Sequence, residues 1–188
     1  MIKTHEREKL INAVVFFARN TRYCGKIKLF KLLYLLDFEH FRQSGRSVTG
    51  MNYHAWKLGP VPVALYADWE IREPDFVAAI EIVPEKVIDY TREKAVAKVD
   101  FDDSFFSKRE LNIMSQLAER FKDEYSQPLV NFTHAELGPW AKIWENGKGN
   151  QVKIPYTLAV LDSDTNGEAI LHAAARYDNM KSTLGVVH

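Results

Sequence analysis

Asp37 and His40 stand three residues apart in the segment Lys28-Leu-Phe-Lys-Leu-Leu-Tyr-Leu-Leu-Asp-Phe-Glu-His40. On a helix that spacing places both side chains on one side. A carboxylate and an imidazole so placed could share a metal ion or pass a proton, and His54 and His134 could complete the set. The plainer alternative is that each imidazole makes a capping or core hydrogen bond. No His-Glu-x-x-His, no His-x-His pair and no cysteine cluster accompanies them, so we expect no metal and no cofactor. Cys24 lies beside Tyr23 and Lys26 near a helix start, where a thiolate would be stabilised. A lone loop cysteine is more simply inert, and as the only cysteine it cannot form an internal disulfide, which fits a reducing cytoplasm. Neither Gly-x-Ser-x-Gly, Gly-x-Gly-x-x-Gly nor a Walker pattern occurs. We expect no catalytic residue and no enzyme.

Charge is more informative. The 25 basic and 25 acidic residues cancel, which argues against a nucleic-acid partner that would favour a basic balance. They are not evenly spread. Residues 1–31 carry Lys3, Arg7, Lys9, Arg19, Arg22, Lys26, Lys28 and Lys31 against Glu6 and Glu8, and residues 68–85 carry six acids against Arg72 alone. Such a separation can dock to a charged partner, dock to itself as a homodimer, or tie the two segments together. Lys28 and Lys31 share a helix side and could touch phosphate; a solvated stripe is the simpler reading.

The elements that must position these residues follow from periodicity. At 188 residues, 46% of them hydrophobic, the chain can bury a sizeable core, and we expect one domain over residues 1–188. The start lacks the apolar stretch of a signal peptide and Leu32–Leu36 is too short to span a bilayer, so a cytoplasmic protein without membrane contact is expected. Thr4 is placed to cap a first helix. A second, from about Lys26 to Ser44, is apolar nearly all round at its centre and ends at Gly45, as a buried central helix should. Residues 47–58 read as extended. Leu58-Gly-Pro-Val-Pro reads as a corner, with Pro60 in the first turn of a third helix whose buried side is Val61, Leu65, Tyr66 and Trp69. Residues 74–83 fit a short helix or a strand. Lys86–Tyr90 and Ala95–Phe101 read as two strands joined across 91–94. Ser107-Lys-Arg-Glu110 is a capping box; Thr133-His-Ala-Glu136 reads as a second, leading into a helix at 138–144. A last helix spans 168–180. The fold class is mainly α with a small antiparallel β element (α+β). Trp56, Trp69, Trp140 and Trp144 belong to the core or line a groove.

Three of these segments together resemble one family. The helix Lys28-Leu-Phe-Lys-Leu-Leu-Tyr-Leu-Leu-Asp37 looks like its Lys-Leu-x-Lys-Leu-Leu-Tyr-x-x-Asp helix. Ala55-Trp-Lys-Leu-Gly-Pro-Val, with Tyr66 beyond, is similar to its Trp-x-x-Gly-Pro-Val corner. Thr133-His-Ala-Glu-Leu-Gly-Pro-Trp140 resembles its Thr-His-x-x-x-x-Pro-Trp segment. The family is the SocA-like Panacea antitoxin domain, also known among phage-associated proteins, and the resemblance covers about residues 5–145.

The resemblance implies the antitoxin of a toxin–antitoxin system: a helical domain that neutralises a cognate protein toxin by binding it, in at least one type as an adaptor to a cytoplasmic protease. Its motif residues then divide. Tyr34, Gly59, Pro60, Tyr66, Thr133, Pro139 and Trp140 are expected to be structural, with Gly59 and Pro60 setting the corner and Thr133 capping. Lys28, Lys31, Asp37, His54, Trp56 and His134 are the candidates for partner binding. Two other readings stay open: a hydrolase or transferase built on the His/Asp set, and a nucleic-acid-binding regulator built on the basic first third.

Overall fold

The computed structural model describes residues 2–87, 90–135, 138–184 and 186–187. Its centre is helix α2 (Lys26–Ser44), which follows α1 (Glu6–Asn20). Leu29, Leu32, Leu33 and Leu36 are fully buried, each stabilising the fold by about 1.5–3 kcal/mol. These four, at i, i+3, i+4 and i+7, share one face, while buried Phe30, Tyr34, Phe38 and Phe41 lie on another, so α2 is covered on more than one side. The helix stops at Gly45, which takes the left-handed conformation at φ +72° and donates its N–H to Phe41 O. A side chain there would also strike the backbone of the last helix, α8 (Gly167–Leu184), at 2.7 Å from Ile170 O.

Two antiparallel hairpins flank the helices. In the first, β2 (Tyr53–Trp56) pairs with β3 (Gly59–Pro62), Trp56 opposite Gly59 and Tyr53 opposite Pro62. In the second, β4 (Ile80–Val87) pairs with β5 (Tyr90–Ala97). Between the hairpins come α3 (Val63–Ile71) and α4 (Pro74–Ala79); beyond them lie α5 (Lys108–Arg120), α6 (Ser126–Thr133) and α7 (Pro139–Trp144). A two-residue parallel pairing joins β1 (Ile2–Lys3) to β6 (Val186–Val187). The fold is mainly α with a small β element, as the periodicity implies, and α2 packs against α1, α5, α6, α8 and β3.

Several local expectations need correction. Thr4 does not cap α1: His5 occupies the cap with φ +53° and makes no side-chain capping bond, and the Thr4 hydroxyl is buried without a partner among the described residues. The Gly59-Pro60 segment is not a first helical turn. It is the returning strand of a hairpin, and α3 begins only at Val63 because Val61 and Pro60 are held in register opposite His54 and Ala55. Residues 74–83 use both of their propensities, helix to Ala79 and strand from Ile80. The second hairpin lies several residues earlier than expected. Thr91–Lys94 is strand rather than turn, since Arg92 and Lys94 reach across to Glu85, and part of the expected first strand, 88–89, lies outside the described residues. Thr133 is the last residue of α6, not a cap for α7; its hydroxyl donates back to Val130 O, and Glu136 lies outside the described residues. Gly138 precedes α7 instead, with Pro139 in the first turn. The box at Ser107 forms as expected, Ser107 Oγ accepting from Glu110 N and Glu110 Oε2 from Ser107 N.

The separated charge folds the two segments together. Arg7 grips Asp75 with two hydrogen bonds of 2.8 and 2.7 Å and also reaches Asp68. Lys26 pairs with Glu70, its ammonium 4.1 Å from the centre of the Tyr66 ring.

Candidate functional site

The family-like residues meet where the first hairpin crosses α2. Lys31 and Lys28 do not form a solvated stripe, nor can they meet phosphate from solvent; both are buried. Lys28 Nζ donates to the carbonyls of Arg22, Phe121 and Glu124 at 2.6–2.7 Å, tying the start of α2 to the loop after α5. Lys31 Nζ donates to Pro60 O at 2.8 Å, which locks β3 onto α2. With one carbonyl as its partner among the described residues, the buried Lys31 ammonium is poorly solvated, and burial pushes its pKa down to about 7.

Gly59 explains how the backbone comes so close. It sits at φ +101°, after a tight turn at Lys57-Leu58 whose own φ values are not positive, as in a type I turn followed by a glycine bulge. A methyl group there would stand 2.7 Å from Lys31 Cε and 3.1 Å from His134 Nε2. Gly59→Ala would therefore force both a strained backbone and a displaced lysine. We expect it to lower unfolding free energy by about 2 kcal/mol in urea titration, and an unchanged midpoint would show that the contact is not tight.

His134 lies flat on Trp140, ring centres 3.7 Å apart and planes 4° apart. Its Nε2 is buried with no hydrogen-bond partner among the described residues, and burial, then the Lys31 charge, lowers its pKa. Trp140 donates its indole N–H to Trp56 O at 3.1 Å, and Trp144 stacks on it with ring centres 5.4 Å apart. Half-buried Trp56 lies against Tyr66. Lys31, Trp56, Gly59, Pro60, His134 and Trp140 thus form one interlocked corner.

The remaining candidates lie elsewhere. Asp37 is fully buried and accepts four hydrogen bonds: from the amides of Val48 and Thr49 at 2.7 and 2.8 Å, from Tyr53 OH at 2.7 Å, and from the Thr49 hydroxyl. Burial nonetheless raises its pKa. His40 turns to Arg46 O and His54 to Gln151 O, while His134 lies on Trp140, so the imidazoles that could have joined Asp37 are each engaged elsewhere. Among the described residues no group of three His, Cys, Asp or Glu side chains is placed to hold a metal. Cys24 is buried, and burial pushes its thiol up to about 11, the opposite of an activated nucleophile.

Residue-by-residue reading of the sequence missed a groove of about 570 Å³ between α2 and α5. Leu35, Leu117, Phe132 and Leu158 line it, with Arg120 and Arg42 among its walls. The one local signal for it is that Leu35, Glu39 and Arg42 follow each other at helical spacing on the less buried side of α2.

The corner, and all of the groove's lining except Leu158, Ala159 and Leu161, lie within the part of the chain that matches a family model, residues 29–141, described as the antitoxin SocA-like Panacea domain. The chain belongs to this family. No curated protein and no solved structure matches it. The Panacea segment begins one residue after Lys28 and ends just past Trp140, so it takes in most of α2, the first hairpin and the His134–Trp140 stack, and leaves α1 and α8 outside. Among the described residues no helix is long and apolar enough to cross a membrane.

Proposed function

We propose that this Panacea-domain protein is an antitoxin that neutralises a cognate protein toxin in the cytoplasm by direct binding. The observation that carries the reading is the family match, which spans the corner and the groove's lining apart from Leu158, Ala159 and Leu161. The geometry supports it. The polar motif residues are engaged with backbone: Lys28 and Lys31 donate to carbonyls, and Asp37 accepts from amides. Such an arrangement builds a rigid surface, and binding by surface complementarity requires no activated side chain.

The test is co-expression. The product of the adjacent open reading frame, induced alone, should arrest growth, and this protein should restore it and elute with that product from a sizing column. Toxin levels followed in the same cells separate simple masking from delivery to a protease. If the adjacent product is harmless, or toxic but neither bound nor relieved, the proposal fails.

A further inference from the structure

We infer that the groove between α2 and α5 is where the partner docks, and that its occupant is an amphipathic helical segment of the toxin carrying an acidic residue at one end. This rests on the antitoxin reading above. The groove is built by antiparallel helices: Lys28, near the start of α2, reaches Phe121 just past the end of α5, while His40, near the end of α2, feels the charge of Glu110 in the first turn of α5. Along α2 it extends from Tyr34 to Arg42, about 12 Å at the rise of an α-helix, or slightly over two turns. That length suits the i, i+4, i+7 side chains of a helix laid into a groove.

Three features point to such an occupant. Phe132 is 42% exposed at the groove's edge, and Leu35, Leu117 and Leu158 are only half-buried, so an apolar floor remains open to water. The two guanidiniums are not equivalent. Arg42 is held by Asp164, whereas Arg120 lies 4.3 Å over the Phe132 ring with no carboxylate partner among the described residues. A carboxylate arriving at Arg120 would find an oriented, unneutralised cation beside apolar surface. Finally, Tyr34 lines the groove, and its buried hydroxyl has no hydrogen-bond partner among the described residues. The Trp140 backbone N–H bears on the hydroxyl oxygen, and no acceptor for the O–H proton is present among the described residues. An acceptor on the partner would satisfy a group that the free protein leaves unpaired.

The experiment measures binding of the purified toxic product from the co-expression assay to wild type and variants by biolayer interferometry. Thermal unfolding of every variant checks the fold. Leu117→Arg, which fills the groove while its long stem can reach water, should weaken binding by about 30-fold or more. Arg120→Glu should weaken it by about tenfold, chiefly through slower association and with a flatter salt dependence. Tyr34→Phe should weaken it severalfold without lowering the melting temperature, which a merely structural hydroxyl would not do. Ile71→Arg, on an exposed residue outside the groove, should bind within about twofold of wild type. Should Leu117→Arg not fold, Arg120→Glu on the surface still decides. If wild type binds and the groove variants bind equally well, the groove assignment is overturned and the antitoxin reading stands; if wild type neither binds nor neutralises, both fall. A small molecule found in the groove of the purified protein by native mass spectrometry and crystallography would also overturn it.

Discussion

Asp37→Ala should be the most damaging single substitution outside the apolar core, lowering unfolding free energy by roughly 3–5 kcal/mol. The carboxylate is fully buried and organises four donors, two of them backbone amides in the loop between α2 and β2. Alanine removes the acceptor and leaves all four donors in a space too tight for ordinary hydration. For a chain of this size the melting temperature should fall by about 10 °C or more. Asp37→Asn tests the assignment more finely. Its oxygen can still accept from Val48 and Thr49, while its amide faces the Thr49 and Tyr53 hydroxyls, which can turn to accept. Because burial already makes the charged form costly, raising the Asp37 pKa, the neutral amide should lose only about 1–2 kcal/mol. Urea titration of the pair measures both. Equal losses for Ala and Asn would mean that the carboxylate's charge, not its role as acceptor, holds the loop.

This role for Asp37 also marks how far the sequence could be read. The apolar run through Leu32, Leu33 and Leu36 and the stop at Gly45 define α2 because burial on several sides and a left-handed C-terminus are local properties. Ser107 and Glu110 are legible for the same reason: each satisfies the other within one turn. Lys28 and Lys31 were not legible. Charged side chains are ordinarily solvated, and apart from Arg22 the carbonyls that receive these two come from Phe121, Glu124 and Pro60, distant in the chain. Gly59-Pro60 satisfies the local rules for a helix entry and for a bulged hairpin alike, and only pairing with Tyr53–Trp56 decides between them. The second hairpin slipped in register because Thr91–Lys94 looks like a polar turn. In a two-stranded sheet with one face in water, such residues belong in the strand, where Arg92 meets Glu85. The groove draws on α2, α5, α6, α7 and the turn at Tyr156–Ala159, and the spacing of Leu35, Glu39 and Arg42 within α2 does not by itself announce a surface shared by five.

Lys31 supplies the second large effect, and it is one of pH. In the folded protein the amine has its pKa pushed down to about 7 by burial, whereas in the unfolded chain it titrates near about 10.4. Between these values the unfolded chain binds more protons than the folded one, so stability must rise with pH across that window. The cost of burying the ammonium is fully present below about pH 7 and fades as pH climbs toward 10. Lys31→Met keeps the apolar stem and abolishes this titration. Its unfolding free energy relative to wild type should therefore fall by on the order of 1 kcal/mol per pH unit between about 7.5 and 9.5. Taking the difference between the two proteins matters, because Lys28, lowered by burial, and Cys24, raised by it, titrate in both and largely cancel. Working above pH 7 also keeps clear of His134, whose pKa is lowered and partly set by the Lys31 charge. Urea midpoints at pH 7.5, 8.5 and 9.5 suffice. A difference that stays flat within about 0.5 kcal/mol would mean that the ammonium keeps its proton as readily inside the fold as outside, and that the Pro60 carbonyl solvates it far better than one hydrogen bond should.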